Sequence, residues 1–353
     1  MNLEGNITNI LLITGTSFLI SVLLMYVCRK LAVHLGAIDV PNEARRIHKK
    51  PTPRMGGLAI YLSFLFGYII FGTPSVSMNA VLISSFLLVM VGIFDDIKPI
   101  SNRYKLIVQL IATAIAIFYG KFLLTELTVF GLDIQFHMWA YPITFFFIMG
   151  AINCINFIDG MDGLSGGICS IYFLTVGIIA TTLYKLNGLD VLLAFILLGA
   201  TLGYLKHNFY PAKIFMGDGG SMFLGFMIAI IALIGYKIVA LGSFVVPIIL
   251  LAIPIVDTLL AILRRKLKGE SVFMADKEHI HFQLYKYFKS VPKTVIIIYI
   301  VDMLFAAVSI LYVLGDSKLA LLLYAFLLML FIIFILKTNV LIDWKKKKKE
   351  KRK

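Results

Sequence analysis

The chain has 353 residues, of which 60% are hydrophobic, with a mean hydropathy of +0.94 and a formal net charge of +14. Repeated apolar runs near 20 residues, the length of a bilayer-crossing helix, exclude a soluble globular domain and point to an all-α polytopic integral membrane protein. Three cysteines, Cys28, Cys154 and Cys169, fall in or beside apolar runs with no framework spacing, which argues against a disulfide or zinc design.

Taken in chain order, apolar runs between turn and charge signals predict about eleven spans. They cover residues 7–28, 55–72, 78–94, 105–120, 139–156, 164–184, 189–205, 219–236, 238–263, 295–314 and 319–336. Glu4 and no Lys or Arg precede the first run, so it lacks the basic flank of a signal peptide and is expected to be a retained span. Threaded with the N-terminus outside, alternate loops collect 29 basic residues, whereas the other side receives only Lys121, Lys185, Lys237 and Lys318. That asymmetry places the C-terminus in the cytoplasm. The positive charge is therefore topological, and no nucleic-acid partner is expected.

One catalytic domain, residues 1–336, is expected, followed by a polybasic cytoplasmic tail at 337–353. The candidate active-site loops are 29–54, 95–105, 153–167, 206–220 and 264–293. Next to the last span and Trp344, the tail would bind anionic lipid headgroups or remain a solvated segment. On the outer side, 120–138 alternates around Gly131 and predicts a small external β-hairpin.

The polar clusters that look chemical all fall on the inner side. Residues 38–57 are rich in cations, among them Lys49 and Lys50, and are stiffened by Pro41, Pro51 and Pro53, which suits a polyanionic ligand. Gly56 and Gly57 open the next span and are expected to leave backbone N–H groups for phosphate. Asp95 and Asp96 are adjacent carboxylates that need a divalent cation, a shared proton, or neutralisation by Lys98, Arg103 or Lys105. Residues 153–167, N-C-I-N-F-I-D-G-M-D-G-L-S-G-G, carry Asn156, Asp159 and Asp162, with glycines that let a backbone or a phosphorylated ligand approach. Asp218 stands among Gly217, Gly219 and Gly220, where a metal bridging it to phosphate would account for a carboxylate in that setting. His279 and His281, two apart, do not fit zinc spacing and suit phosphate or sugar contact, or else simple solvation. Asp257 and Asp302 fall inside spans and must face the bundle or find a cation such as Arg264.

These residues describe a site for metal-assisted phosphoryl chemistry between a water-soluble phosphate donor and a lipid acceptor. The set D-V-P-N-E-A-R-R-I-H-K-K-P-T-P-R-M-G-G, F-D-D, N-F-I-D-G-M-D-G-L-S-G-G, N-F-Y-P-A-K-I-F-M-G-D-G-G-S and D-K-E-H-I-H resembles the polyprenyl-phosphate N-acetylhexosamine-1-phosphate transferases across residues 39–282. The resemblance implies a bacterial plasma-membrane enzyme with a cytoplasmic active site. Such an enzyme moves a sugar-1-phosphate from a UDP-N-acetylhexosamine to undecaprenyl phosphate, with Mg²⁺, or Mn²⁺ in its place, as cofactor. It releases UMP and initiates a cell-envelope glycan; self-association into a homodimer is left open.

Carried onto matching positions, the resemblance makes Asp95 and Asp96 the carboxylates near the polyprenyl phosphate, with Asp95 as base or orienter. Asn156, Asp159 and Asp162 match the donor motif, and Asp218, with Asn156, the metal site. Phe215 falls where relatives stack on uracil, and Lys49, Lys50 and Lys105 are phosphate cations. Many relatives carry H-x-H-H in the last inner loop, where this chain has Phe282 in the final place. The loop also differs from the P-x-H-H-H of the peptidoglycan-precursor branch, so the donor is expected to be peptide-free, with UDP-GlcNAc first. A transporter or flippase of lipid-linked sugars is the competing class. It would not need five motifs on one face, and no repeated halves are visible.

Overall fold

A computed structural model describes residues 7–41, 50–129, 132–184, 188–238, 245–268 and 279–337. The expectations for Lys49, Gly131 and the 337–353 tail, apart from Lys337, lie outside those residues. Thirteen helices are described: α1 (Ile7–Leu35), α2 (Gly56–Phe71), α3 (Val76–Ile97), α4 (Asn102–Ala114), α5 (Ala140–Ile158), α6 (Leu164–Tyr184) and α7 (Leu189–Asn208), then α8 (Gly217–Ile238), α9 (Val245–Leu250), α10 (Ala252–Lys268), α11 (Ile280–Phe288), α12 (Val291–Leu314) and α13 (Ser317–Lys337).

Among the described residues eight of these are long and apolar enough to cross a bilayer, and the other segments expected to span are shorter or divided. Helix α2 has 16 residues. Helix α4 has 13 and runs on as a π-helical turn, Ile115–Tyr119. The expected ninth span is broken into α9 and α10 at Leu251. Pro254 supplies the reason, since its ring crowds the carbonyl four residues back, at Leu250.

Helix α8 is the axis of the bundle. From Met222 to Ile231 its apolar side chains are at most 1% exposed, and α2, α3, α5, α6 and α7 surround it. Lipid is as apolar as leucine, so helices associate in a membrane by close packing of small residues. Ser17 and Ser21 of α1 face Gly199 and Gly203 of α7, and Ser21 Oγ donates to the Ala200 carbonyl at 2.7 Å. Two close approaches lie at the start of α8. A Cβ at Gly92 of α3 would overlap the Gly219 backbone, and one at Gly57 of α2 would overlap Gly220.

Two small sheets complete the fold. Strands β1 (Ile38–Asp39) and β2 (Thr52–Pro53) pair antiparallel, Ile38 against Pro53. Strands β3 (Glu126–Val129) and β4 (Leu132–Gln135) form the expected hairpin, Glu126 against Gln135 and Val129 against Leu132.

Candidate active site

The end of α3, the starts of α4 and α8 and the segment before α2 bring a charged cluster together. Arg54 is aimed by backbone on both sides: its N–H donates to the Ala37 carbonyl at 2.9 Å, and the neighbouring Pro53 carbonyl accepts the Phe215 N–H at 2.8 Å. Arg54 Nε lies 3.3 Å from Asp96 Oδ1 and its Nη2 3.6 Å from Asp218 Oδ1. Lys105 Nζ bridges Asp218 Oδ2 at 2.8 Å and Asp95 Oδ2 at 3.0 Å. Asp95 Oδ1 also accepts the Ile100 N–H at 3.0 Å, which closes the turn between α3 and α4. Gly217 has φ +75, a conformation that favours glycine, and a side chain there would overlap the Asp96 carboxylate. The Asp218 N–H donates to Asp96 Oδ1 at 3.3 Å.

The second wall comes from the turn between α5 and α6. Asn156 Nδ2 donates to Ser221 Oγ at 2.8 Å and so ties this turn to α8. Ser165 Oγ donates to Asp159 Oδ1. Burial of the Asp159 carboxyl pushes its pKa up from 3.8 to about 6, against the Ser165 hydrogen bond, which lowers it; Asp218 raises it and Arg54 lowers it. Asp162 turns elsewhere: its Oδ2 accepts the Ala212 N–H at 2.9 Å and holds the segment leading into α8. Asn208 braces both segments, accepting the Gly163 N–H at 2.8 Å and donating to the Ile214 carbonyl at 2.9 Å. Tyr299 Oη of α12 donates to the Gly163 carbonyl.

The third wall is the entry to α11. His279 and His281 are buried, at 7% and 1% exposure, so they are not a solvated pair. Their rings stack at 5.5 Å. Burial, ahead of the neighbouring His279, holds the His281 imidazole below its usual pKa, and the Asp257 carboxylate opposes that shift.

Several expectations change. The Gly56 and Gly57 N–H groups do not await phosphate: they donate to the Phe215 and Met216 carbonyls at 2.8 Å each, because α2 docks on the backbone entering α8. Asp257, expected to face the bundle or to find a cation such as Arg264, is buried and held by a histidine pair and the Ile280 N–H. Lys105 is engaged with two carboxylates, whereas Lys50 is exposed. Half-buried Phe215 is pinned through its backbone to Pro53 and Gly56. Asp302, 1% exposed, faces the bundle, as expected.

Sequence reasoning missed Arg54, Ser165, Ser221 and Tyr299. Arg54 had a signal, as the last cation before a helix start, but only tertiary contact separates it from the other cations of its loop.

A divalent cation fits this donor set. Asp95, Asp96 and Asp218 offer hard oxygens beside Arg54 and Lys105. Among the described residues no three His, Cys, Asp or Glu side chains form a complete protein cage. A divalent ion there would need phosphate oxygens of the substrates beside one or two of these carboxylates.

A membrane-embedded helical bundle with carboxylates and cations gathered at one end is the frame of an enzyme of phosphoryl transfer at the lipid boundary. The glycosyl transferase family 4 model matches residues 78–236. A probable undecaprenyl-phosphate N-acetylglucosaminyl 1-phosphate transferase of Bacillus subtilis is 38% identical over 324 residues, 91% of this chain and 87% of the relative. The decaprenyl-phosphate N-acetylglucosaminephosphotransferase of Mycolicibacterium smegmatis is 31% identical over 77% of this chain and 74% of its own. The undecaprenyl-phosphate alpha-N-acetylglucosaminyl 1-phosphate transferase of Escherichia coli K12 is 31% identical over 75% and 73%. The chain belongs to glycosyl transferase family 4, the family of these phosphoglycosyltransferases.

Proposed function

We propose that this protein transfers N-acetylglucosamine-1-phosphate from UDP-GlcNAc to undecaprenyl phosphate, releasing UMP. The observation that carries the reading is the convergence of Asp95, Asp96, Asp218, Arg54 and Lys105 at one end of an apolar bundle. A lipid phosphate and a soluble nucleotide would meet there. The names of the relatives support the acceptor and the transferred group, and none of the three named above is a transporter.

An oxygen of the acceptor phosphate attacks the donor β-phosphorus, a new P–O–P linkage forms, and the bond from that phosphorus to the UMP oxygen breaks. Asp95 orients the acceptor, and Lys105 and Arg54 exchange part of their carboxylate pairing for phosphate oxygens. Asp159, ionised, and Asn156 line the donor side, and His279 and His281 close it beside Gly160. Phe215 offers a ring to the uracil, and Lys50, with Lys49, attracts the nucleotide electrostatically. Asp218, with a neighbouring carboxylate or Asn156, would hold Mg²⁺, which when bound screens the charge of the pyrophosphate. The site faces the cytoplasm of a bacterial plasma membrane, where the basic loops gather.

The test is turnover by purified protein given Mg²⁺, undecaprenyl phosphate and a panel of UDP-sugars. UMP and a pyrophosphate-linked lipid are expected from UDP-GlcNAc. Turnover of UDP-muramoyl-pentapeptide with no UDP-N-acetylhexosamine accepted overturns the donor assignment.

A further inference from the structure

The His279–His281 pair is shaped by a residue that lies in another helix and has no obvious chemical motif around it. Asp257 of α10 is 2% exposed. Its Oδ1 accepts the Ile280 N–H at 2.8 Å, at the first residue of α11. Its Oδ2 lies 3.1 Å from His279 Nδ1 and 3.5 Å from His281 Nδ1. One carboxylate thus meets a helix-start amide and both imidazoles on the same ring edge.

The consequence falls on the opposite ring edge. With Nδ1 turned to Asp257, His281 presents Nε2 to the α5–α6 turn, where a Cβ built on Gly160 would be 2.6 Å away. Gly160 directly follows Asp159. Both ring nitrogens of His281 are buried and neither makes a hydrogen bond, Nδ1 standing only in the field of the Asp257 carboxylate, and a buried polar nitrogen left unpaired is costly. Phe282 packs against the His281 ring, with centroids 4.3 Å apart, and its Cζ reaches the same Gly160 position at 3.4 Å.

We infer that Asp257 is a positioning residue for the donor. It pins the start of α11, holds the His279 proton on Nδ1 and sets its charge behind His281, so that Nε2 of His281 faces the Asp159–Gly160 turn to meet a phosphate or hydroxyl of the nucleotide sugar. A carboxylate behind an imidazole is a common way to set its tautomer and orientation. The inference rests on the transferase reading above and adds a residue outside every motif that led to it.

The variant Asp257→Asn keeps an acceptor for the Ile280 amide and removes the charge behind the histidines. With Mg²⁺, UDP-GlcNAc and undecaprenyl phosphate, we expect its KM for UDP-GlcNAc to rise about tenfold or more and its KM for undecaprenyl phosphate to stay within about twofold. Combined with His281→Gln, the loss should be no larger than for His281→Gln alone, because both act on the same contact. An unchanged donor KM, an equal rise in both KM values, or additive losses overturns the assignment. A second measurement needs no variant to fold: nitrogen-15 NMR of histidine-labelled native protein at neutral pH should find the His279 proton on Nδ1, and a proton on Nε2 alone overturns it. If native protein releases no UMP from these substrates, the transferase reading fails, while the NMR result still decides the placement of the imidazoles.

Discussion

At the scale of single residues, the charged cluster is a set of carboxylates held close together by two cations from distant segments. Asp218 touches both Arg54 and Lys105, so Asp218→Asn should leave the helices in place and remove most turnover. Loss of one electrostatic contribution to a transferring phosphoryl group costs on the order of 3–4 kcal/mol, or 10²–10³ in rate. Near-native activity in the folded variant, or full activity in EDTA, would contradict a metal-holding role. Asp159 makes a separate prediction through pH. Its carboxyl, ordinarily ionising at 3.8, is pushed up to about 6 by burial. Between those values the folded protein binds more protons than the unfolded chain, so this group's contribution to stability falls as pH rises through the window. Activity that needs the ionised form behaves oppositely: kcat/KM should fall as pH drops through about 6. Ser165→Ala, which removes a hydrogen bond that favours ionisation, should move that acid limb upward. An acid limb that stays put in Ser165→Ala would rule out Asp159 as its source.

At the scale of elements, the glycines around Asp218 act on packing. Gly219 and Gly220 let α3 and α2 reach the start of α8 through Gly92 and Gly57, and that contact delivers Asp95 and Asp96 to Asp218. Gly92→Ala should therefore destabilise the α3–α8 contact by about 1–3 kcal/mol, the usual range for overpacking, and lower activity with it. Thermal unfolding in detergent measures the first effect, and an unchanged midpoint would mean that the helices have room to separate. This role was hidden in the sequence, because a glycine for ligand approach and a glycine for helix approach are the same residue. The break between α9 and α10 was legible in principle from Pro254, but an apolar run with a proline reads equally well as one kinked span. The pairing of Glu126–Val129 with Leu132–Gln135 was legible from the alternation, since strand pairing there is local.

At the scale of the whole molecule, the described site residues lie at the ends of α3, α5 and α7, the starts of α2, α4, α6 and α8, and the entry to α11. Cysteines placed at Ser101 and Ala212 should react with impermeant reagents only from the cytoplasmic side, and one at Gln135 only from outside. The native Cys28, Cys154 and Cys169 are buried and free, so they should not obscure the readout. Labelling of Ser101→Cys or Ala212→Cys from outside would overturn the cytoplasmic placement. By itself the sequence determined the membrane class, the mostly helical fold and the family, and it proposed the site residues. Those properties reside in local hydropathy, charge and motif spacing. Only the tertiary structure decided that Arg54 and Lys105 neutralise the carboxylates, that Gly57 and Gly92 serve helix contact, that Asp162 holds a backbone amide and that Asp257 stands behind the histidines. Each of these depends on which atoms meet across α2, α3, α8, α10 and α11, and contacts such as those between segments 113 and 122 residues apart leave no periodic trace in the chain.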